Sequence, residues 1–314
     1  MIRRHHHISM FTKDLKENNR FYTEVLGLRR VKISVNQGDT GMYHVFYGDT
    51  TGAAGNDLTF FEIPNIGAAR RGTDAISGIG LLVPSYDSLF YWQERLDKYD
   101  VKNEGIAEYA GRDALVFEDH EGLKLILINH AGGEIPDEWS PWSENEIAKA
   151  HQILGMGTVE ITVSNKGRLV SLLEDLFGYT LSFEDGEKAL MQAVEGEVFG
   201  EILIQESSED KERPGRGSVH HLAIQSAGRS LEEWDRLLKE KGYVTTGVKD
   251  RYYFDSLYFR EDNGVMIEIV GTEARGFTAD ASVEELGMRL DLPPFLEEER
   301  DEIESKLKPI EEWT

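Results

Sequence analysis

One structural unit recurs four times along the chain, and an internal repeat restricts the possible folds more than any other property of a sequence. In the first copy the strand-like run His5-His6-His7-Ile8-Ser9-Met10-Phe11 precedes a stretch with helical spacing. Leu15, Asn18, Asn19, Tyr22 and Leu26 carry that spacing, and Gly27 is placed to end the helix. Strand-like runs follow at 30–35, 42–47 and 58–63. The second copy has strand 78–83, helix 86–98 and strands 115–117 and 123–128. The third has strand 157–163, helix 168–176 and strands 189–194 and 201–205. The fourth has strand 218–224, helix 231–241 and strands 256–260 and 265–270. Copies two and four share a further detail. Phe117-Glu118-Asp119-His120-Glu121-Gly122 and Phe259-Arg260-Glu261-Asp262-Asn263-Gly264 place an acidic turn closed by glycine at the same offset before the last strand. A lone βαβββ unit leaves one sheet face bare, so the units are expected to pair. Four such modules predict an α+β protein of two domains with curved mixed sheets. The expected division is an N-terminal pair over 1–130, a connector at 131–155, a C-terminal pair over 156–275 and a tail at 276–314. The acidic helix of the tail, 297–307, reads as solvated surface.

The charge balance narrows the partners. Fifty-eight acidic against 34 basic residues give a formal charge of −24, which repels nucleic acid phosphates and anionic membrane surfaces. With no cysteine, disulfide scaffolds, thiolate metal sites and a thiol nucleophile are excluded. No run reaches the ~20 apolar residues of a membrane span, and the first residues lack a signal-peptide core, so a cytoplasmic location is expected.

The chemistry concentrates in the first and fourth copies. His6-His7 and His220-His221 stand at matching places in the first strands of their units. Strand alternation predicts that the members of each pair point to opposite faces, so one of each enters the sheet interior and must find a partner or a metal. Glu268 is alone in the otherwise apolar run Val265–Val270, where a carboxylate is costly unless paired or bound to a cation. Two histidines and one carboxylate on adjacent strands make the facial triad of non-haem iron(II) sites with open positions. Copy two has Ile126 at the carboxylate slot, and copy three has Glu160 at the histidine slot with no carboxylate to match, so one metal site is expected. Glu62, just before Pro64, reads as a strand-end carboxylate at the rim. His44 sits within a strand as a core residue or a support behind the metal ligands. His120, His130 and His151 fall in turns or the connector. Arg251 and Tyr258 flank the Glu268 strand, where a guanidinium and a phenol can steady an oxyanion.

Across all four units the sequence resembles the vicinal oxygen chelate superfamily. His6-His7-Ile8-Ser9, Tyr43-His44-Val45-Phe46, Val219-His220-His221-Leu222-Ala223 and Ile267-Glu268, with the tail motif Leu292-Pro293-Pro294-Phe295, are similar to its hydroquinone-type ring-cleaving dioxygenases. That resemblance implies His7, His221 and Glu268 as ligands of Fe(II), with manganese or another divalent ion compatible. It implies His6, His220, Arg251 and Tyr258 as catalytic residues, and Ser9 and His44 as substrate-binding ones. His220 or His6 would exchange protons with the ring hydroxyls. The implied reactants are a small aromatic compound and O2, in aromatic catabolism or detoxification, and a homo-oligomer is compatible. Two other classes stay open: a manganese- or nickel-dependent isomerase or thiol transferase, and a metal-free protein that binds an aromatic ligand.

Overall fold

The computed structural model describes residues 2–272 and 274–314. The first copy comprises β1 (Ile2–Thr12), α1 (Leu15–Arg20), β2 (Arg29–Asn36), β3 (Asp39–Gly48) and β4 (Asp57–Glu62). The second comprises β5 (Ala75–Val83), α2 (Tyr86–Lys98), β6 (Asn103–Tyr109), β7 (Arg112–Glu118) and β8 (Lys124–Asn129). The third runs β9 (Gly155–Val163), α3 (Lys166–Leu172), β10 (Thr180–Asp185), β11 (Lys188–Gln192) and β12 (Ile202–Glu206). The fourth runs β13 (Val219–Ser226), α4 (Leu231–Glu240), β14 (Lys249–Asp250), β15 (Asp255–Arg260) and β16 (Met266–Val270), and the tail carries α5 (Arg300–Lys306). Side chains cap the helices where the sequence changes period. Asp14 accepts from the Lys16 and Glu17 amides, and Ser230 and Glu233 form a reciprocal box at α4. β6 and β10 were not expected from the sequence. Both are sheet edges, and β10 is exposed along its whole length, so neither shows the alternation that marks a half-buried strand.

Each copy contributes four strands to one of two eight-stranded sheets, but the pairing differs from the expected one. One sheet has the order β14-β15-β16-β13-β1-β4-β3-β2 and the other β10-β11-β12-β9-β5-β8-β7-β6. Copy one is therefore joined to copy four, and copy two to copy three, rather than 1–130 and 156–275 each forming a paired unit. The four first strands hold equivalent places in their modules, so local sequence does not choose among them. The connector hands β8 on to β9 beside β5, which leaves β1 free to take β13 antiparallel. Consecutive copies meet instead through their helices. Arg95 on α2 donates to the Val25 and Glu24 carbonyls beyond α1, and the Phe177 ring after α3 lies 5.4 Å from Trp234 on α4.

The tail straps the outer edge of the first sheet. The Asp291 amide donates to Ile33, Ser34 donates back to the Asp291 carbonyl, and Ile303 of α5 is fully buried, so this helix is only partly the solvated surface expected. Lys32 is fully buried on β2, with Nζ 3.1 Å from Asp291 and 3.4 Å from Asp280. Breaking a buried ion pair by removing one partner leaves the other charge uncompensated. Lys32→Met should therefore cost about 3–5 kcal/mol in urea unfolding and open the tail to limited proteolysis; an unchanged midpoint would show that these carboxylates are solvated. Among the described residues no helix is long and apolar enough to cross a membrane.

Candidate metal centre

The ladder between β1 and β13 sets the site. Its register pairs His7 with Ala223 and Ser9 with His221, while β16 lies beyond β13 and pairs Glu268 with Ala223. Three irregularities interrupt that ladder, and two of them fall at the histidine pairs. Between the His5–Ile224 and His7–Ala223 pairs, His6 is the extra residue; between Ser9–His221 and Met10–Val219, it is His220. A bulge inserts one residue and re-aims the side chains around it. The members of each histidine pair consequently touch instead of facing opposite ways. His6 Nδ1 lies 3.0 Å from His7 Nδ1, and His220 Nδ1 lies 2.8 Å from His221 Nδ1.

With Nδ1 engaged, Nε2 of His7 and of His221 turns inward toward Glu268. Glu268 Oε2 is 3.1 Å from His7 Nε2 and 2.7 Å from His221 Nε2, and the two nitrogens are 3.4 Å apart. Ser256 Oγ donates to the other carboxylate oxygen, Oε1. Oε2 itself is buried and unsatisfied as a hydrogen-bond acceptor despite its two neighbours. Donors at about 2.1 Å from a divalent ion on adjacent octahedral positions stand about 3 Å apart, which is the spacing of this triangle. An orphaned carboxylate oxygen and two inward imidazole nitrogens fit a divalent cation. No other such cluster of histidine, cysteine and carboxylate groups occurs among the described residues.

The electrostatics agree with that donor set. Burial pushes the His221 imidazole below its usual range, against the pull of Glu268. Burial opposes charge on Glu268 as well, but His7 and His221 hold its carboxyl well below the usual range. Neutral imidazole and ionised carboxylate are the states a metal requires.

His7 and His221, with Glu268 fully buried behind them, line a cavity of about 70 Å³, several times the space one water needs. Its wall includes Ser9, His44, Arg251, Phe254 and Tyr258, so four of the residues expected around the ligand are gathered there. Tyr258 sits directly across the β15–β16 ladder from Glu268, and its ring centroid is 5.5 Å from that of His221. The Arg251 guanidinium lies 5.5 Å from the Tyr258 ring. Burial raises the Tyr258 phenol above its usual range, so it stays a donor. Phe254, which sequence reasoning missed, places its ring 5.1 Å from His6 and 5.3 Å from His7. It comes from a loop in which Tyr252 adopts φ +69°, a strained conformation for a bulky residue.

His6 and His220 do not line the cavity; His6 sits against Nδ1 of His7 and His220 against Nδ1 of His221. Burial lowers both to about 3, with His7 and His221 adding to the effect, so both stay neutral. Glu62 ends β4 as expected but is buried, accepting from the Leu15 amide away from the cluster. His120 packs near Phe21, His130 bonds the Glu134 carbonyl and His151 stacks on Tyr91, all outside the site. In the second sheet Glu160 faces Gly78 across the ladder, is taken up by Lys124 at 2.9 Å and accepts from Tyr109 at 3.2 Å.

Comparison with known proteins gives this architecture a lineage. Residues 4–127 match the Glyoxalase/Bleomycin resistance protein/Dioxygenase superfamily. A Bacillus subtilis (strain 168) protein named as a ring-cleaving dioxygenase, MhqA, is 42% identical over 313 residues, covering 98% of each chain. The chlorohydroquinone/hydroquinone 1,2-dioxygenase of Sphingobium indicum is 28% identical, covering 95% of this chain and 94% of its own. A crystal structure described as a dioxygenase from Bacillus subtilis superposes with a TM-score of 0.89 at 29% identity, covering 98% of this chain and 97% of that one. Full-length similarity at this level, on two sheets each assembled from a pair of βαβββ modules, places the chain in the glyoxalase and dioxygenase superfamily, also called vicinal oxygen chelate.

Proposed function

We propose that the protein is an iron(II)-dependent dioxygenase that opens hydroquinone-type aromatic rings. The observation that carries this reading is the buried triangle of His7 Nε2, His221 Nε2 and Glu268 Oε2, whose two histidines line a small cavity walled by aromatic and hydrogen-bonding groups. Three protein ligands on one face leave positions for two reactants, as in non-haem iron(II) oxygenases. The names of the relatives, among them a hydroquinone dioxygenase, supply the substrate class.

Bound iron(II) would supply the redox chemistry that lets dioxygen combine with an electron-rich hydroxylated ring. The rest is the work of this chain. His6 and His220 accept Nδ1–H from His7 and His221, which fixes the tautomer that presents Nε2 inward. This replaces the proton-exchange role the sequence suggested for them. Tyr258 donates to a ring oxygen as it gains negative charge, and Arg251 offsets that charge without losing its own proton. Phe254 packs against His7 and keeps water from it.

Iron(II)-loaded protein should consume one O2 per ring opened when given hydroquinone or methylhydroquinone in an oxygen electrode. A flat trace with the metal fully in place would overturn the proposal and favour the oxygen-independent isomerase or thiol-transferase chemistry of the same superfamily.

A further inference from the structure

A chain of three side chains, two of them fully buried, runs along the cavity wall on neighbouring strands. Ser9 on β1 pairs with Thr59 on β4, with their hydroxyl oxygens 2.7 Å apart. Thr59 Oγ1 is in turn 2.9 Å from His44 Nε2 on β3. Ser9 and Thr59 are both fully buried. The His44 ring is held in place by aromatic neighbours, stacked on Phe61 at 4.0 Å and against Phe46 at 4.1 Å. Its other nitrogen, Nδ1, makes no hydrogen bond with the described residues, and the side chain lines the cavity.

The proton count of this chain permits two arrangements of a neutral imidazole. If Thr59 donates to Ser9, His44 must donate its Nε2–H to Thr59, and Nδ1 offers a lone pair. If Ser9 donates to Thr59, the Thr59 proton goes to Nε2, and Nδ1 carries the hydrogen. Turning two hydroxyl groups and moving the imidazole proton between its nitrogens converts one state into the other with no net change in charge.

We propose that Thr59, with Ser9, makes His44 a reversible hydrogen-bonding post for the ligand hydroxyl that is not bound at the metal. Nδ1 accepts from that group while it is a hydroxyl, and ring opening leaves it an enol. When the enol proton passes to the neighbouring carbon and the group becomes a carbonyl, Nδ1 in the other arrangement donates to it. Thr59 is thus a positioning residue acting through His44. Its value at this position is the hydroxyl, not the shape. The inference rests on the hydroquinone reading, because a ligand with a single hydroxyl gives the post nothing to hold.

Thr59→Val removes the hydroxyl at nearly constant shape, and Thr59→Ser keeps it. Metal-loaded protein would be titrated under argon with hydroquinone and with phenol. The wild type should bind hydroquinone about tenfold more tightly, the worth of one hydrogen bond, and the serine variant should keep that preference. The valine variant should lose it at equal metal content. In the metal-free protein, the imidazole 15N resonances of His44 should shift from averaged tautomers to a single one on Thr59→Val. Retention of the preference by the valine variant, or unchanged His44 resonances, overturns the role of Thr59. Failure of the wild type to bind either compound overturns the hydroquinone reading itself, and this inference with it.

Discussion

Glu268→Gln is expected to empty the metal site while leaving the fold intact. The carboxylate is fully buried, and its Oε2 is the one acceptor that faces both His7 and His221. Glutamine has the same length, and its amide oxygen can still accept from Ser256, so the side chain should keep its place. What changes is the charge. An amide NH2 or a neutral oxygen then stands where an anion balanced a divalent cation. Loss of an outer-shell partner costs roughly 10–100-fold in affinity or activity, and loss of the only anionic ligand should exceed that. Elemental analysis should find the variant without stoichiometric metal after dialysis, and oxygen uptake should fall to background. The metal-free fold should be no weaker than metal-free wild type, because a buried charge has been removed along with its cost. Stoichiometric metal and normal turnover in this variant would refute the ligand assignment.

Acid should unfold the metal-free protein well above the pH at which its carboxylates titrate. Burial holds His5 at about 4, and His6 and His220 at about 3, against an ordinary value of 6.5. The unfolded chain therefore binds protons at these positions between pH 6.5 and 3 that the native state does not. Their contribution to stability is complete above pH 6.5 and is lost progressively as pH falls toward 3. At pH 5 each group opposes the native state by up to about 2 kcal/mol. Buried Asp57, whose carboxyl burial pushes up, works in the opposite direction and offsets part of this. Thermal melts should show Tm falling by roughly 5–10 °C between pH 7 and pH 5. A Tm that stays level over that interval would mean these imidazoles are already solvated.

Much of the site can be read along the chain. The repeat fixes where the four module helices and most of the strands fall, because hydrophobic period and glycine stops are local signals. Glu268 stands out because a carboxylate in an apolar strand is costly wherever the strand lies. The matched histidine pairs stand out because they occupy the same slot in two copies. Tyr258 could be placed near Glu268 because β15 and β16 form a hairpin, and hairpin register is a short-range property. Phe254 and Thr59 gave no comparable signal: an aromatic residue in a loop and a threonine in a strand are ordinary in sequence. The edge strands β6 and β10 were also silent, since a strand without a buried face has no alternation to detect.

What the sequence determined by itself was the module, its fourfold recurrence and the residue types able to hold a cation. What the tertiary structure decided was which copies join and which way each histidine turns. β1 could have paired with any of three similar first strands, and pairing with β13 is what brings His7 and His221 together on one face. Whether His6 stands opposite His7 or beside it depends on a single extra residue in a ladder between strands more than two hundred positions apart. Both are matters of long-range register, which no local pattern encodes, because the partner strand that sets them is absent from any window of sequence.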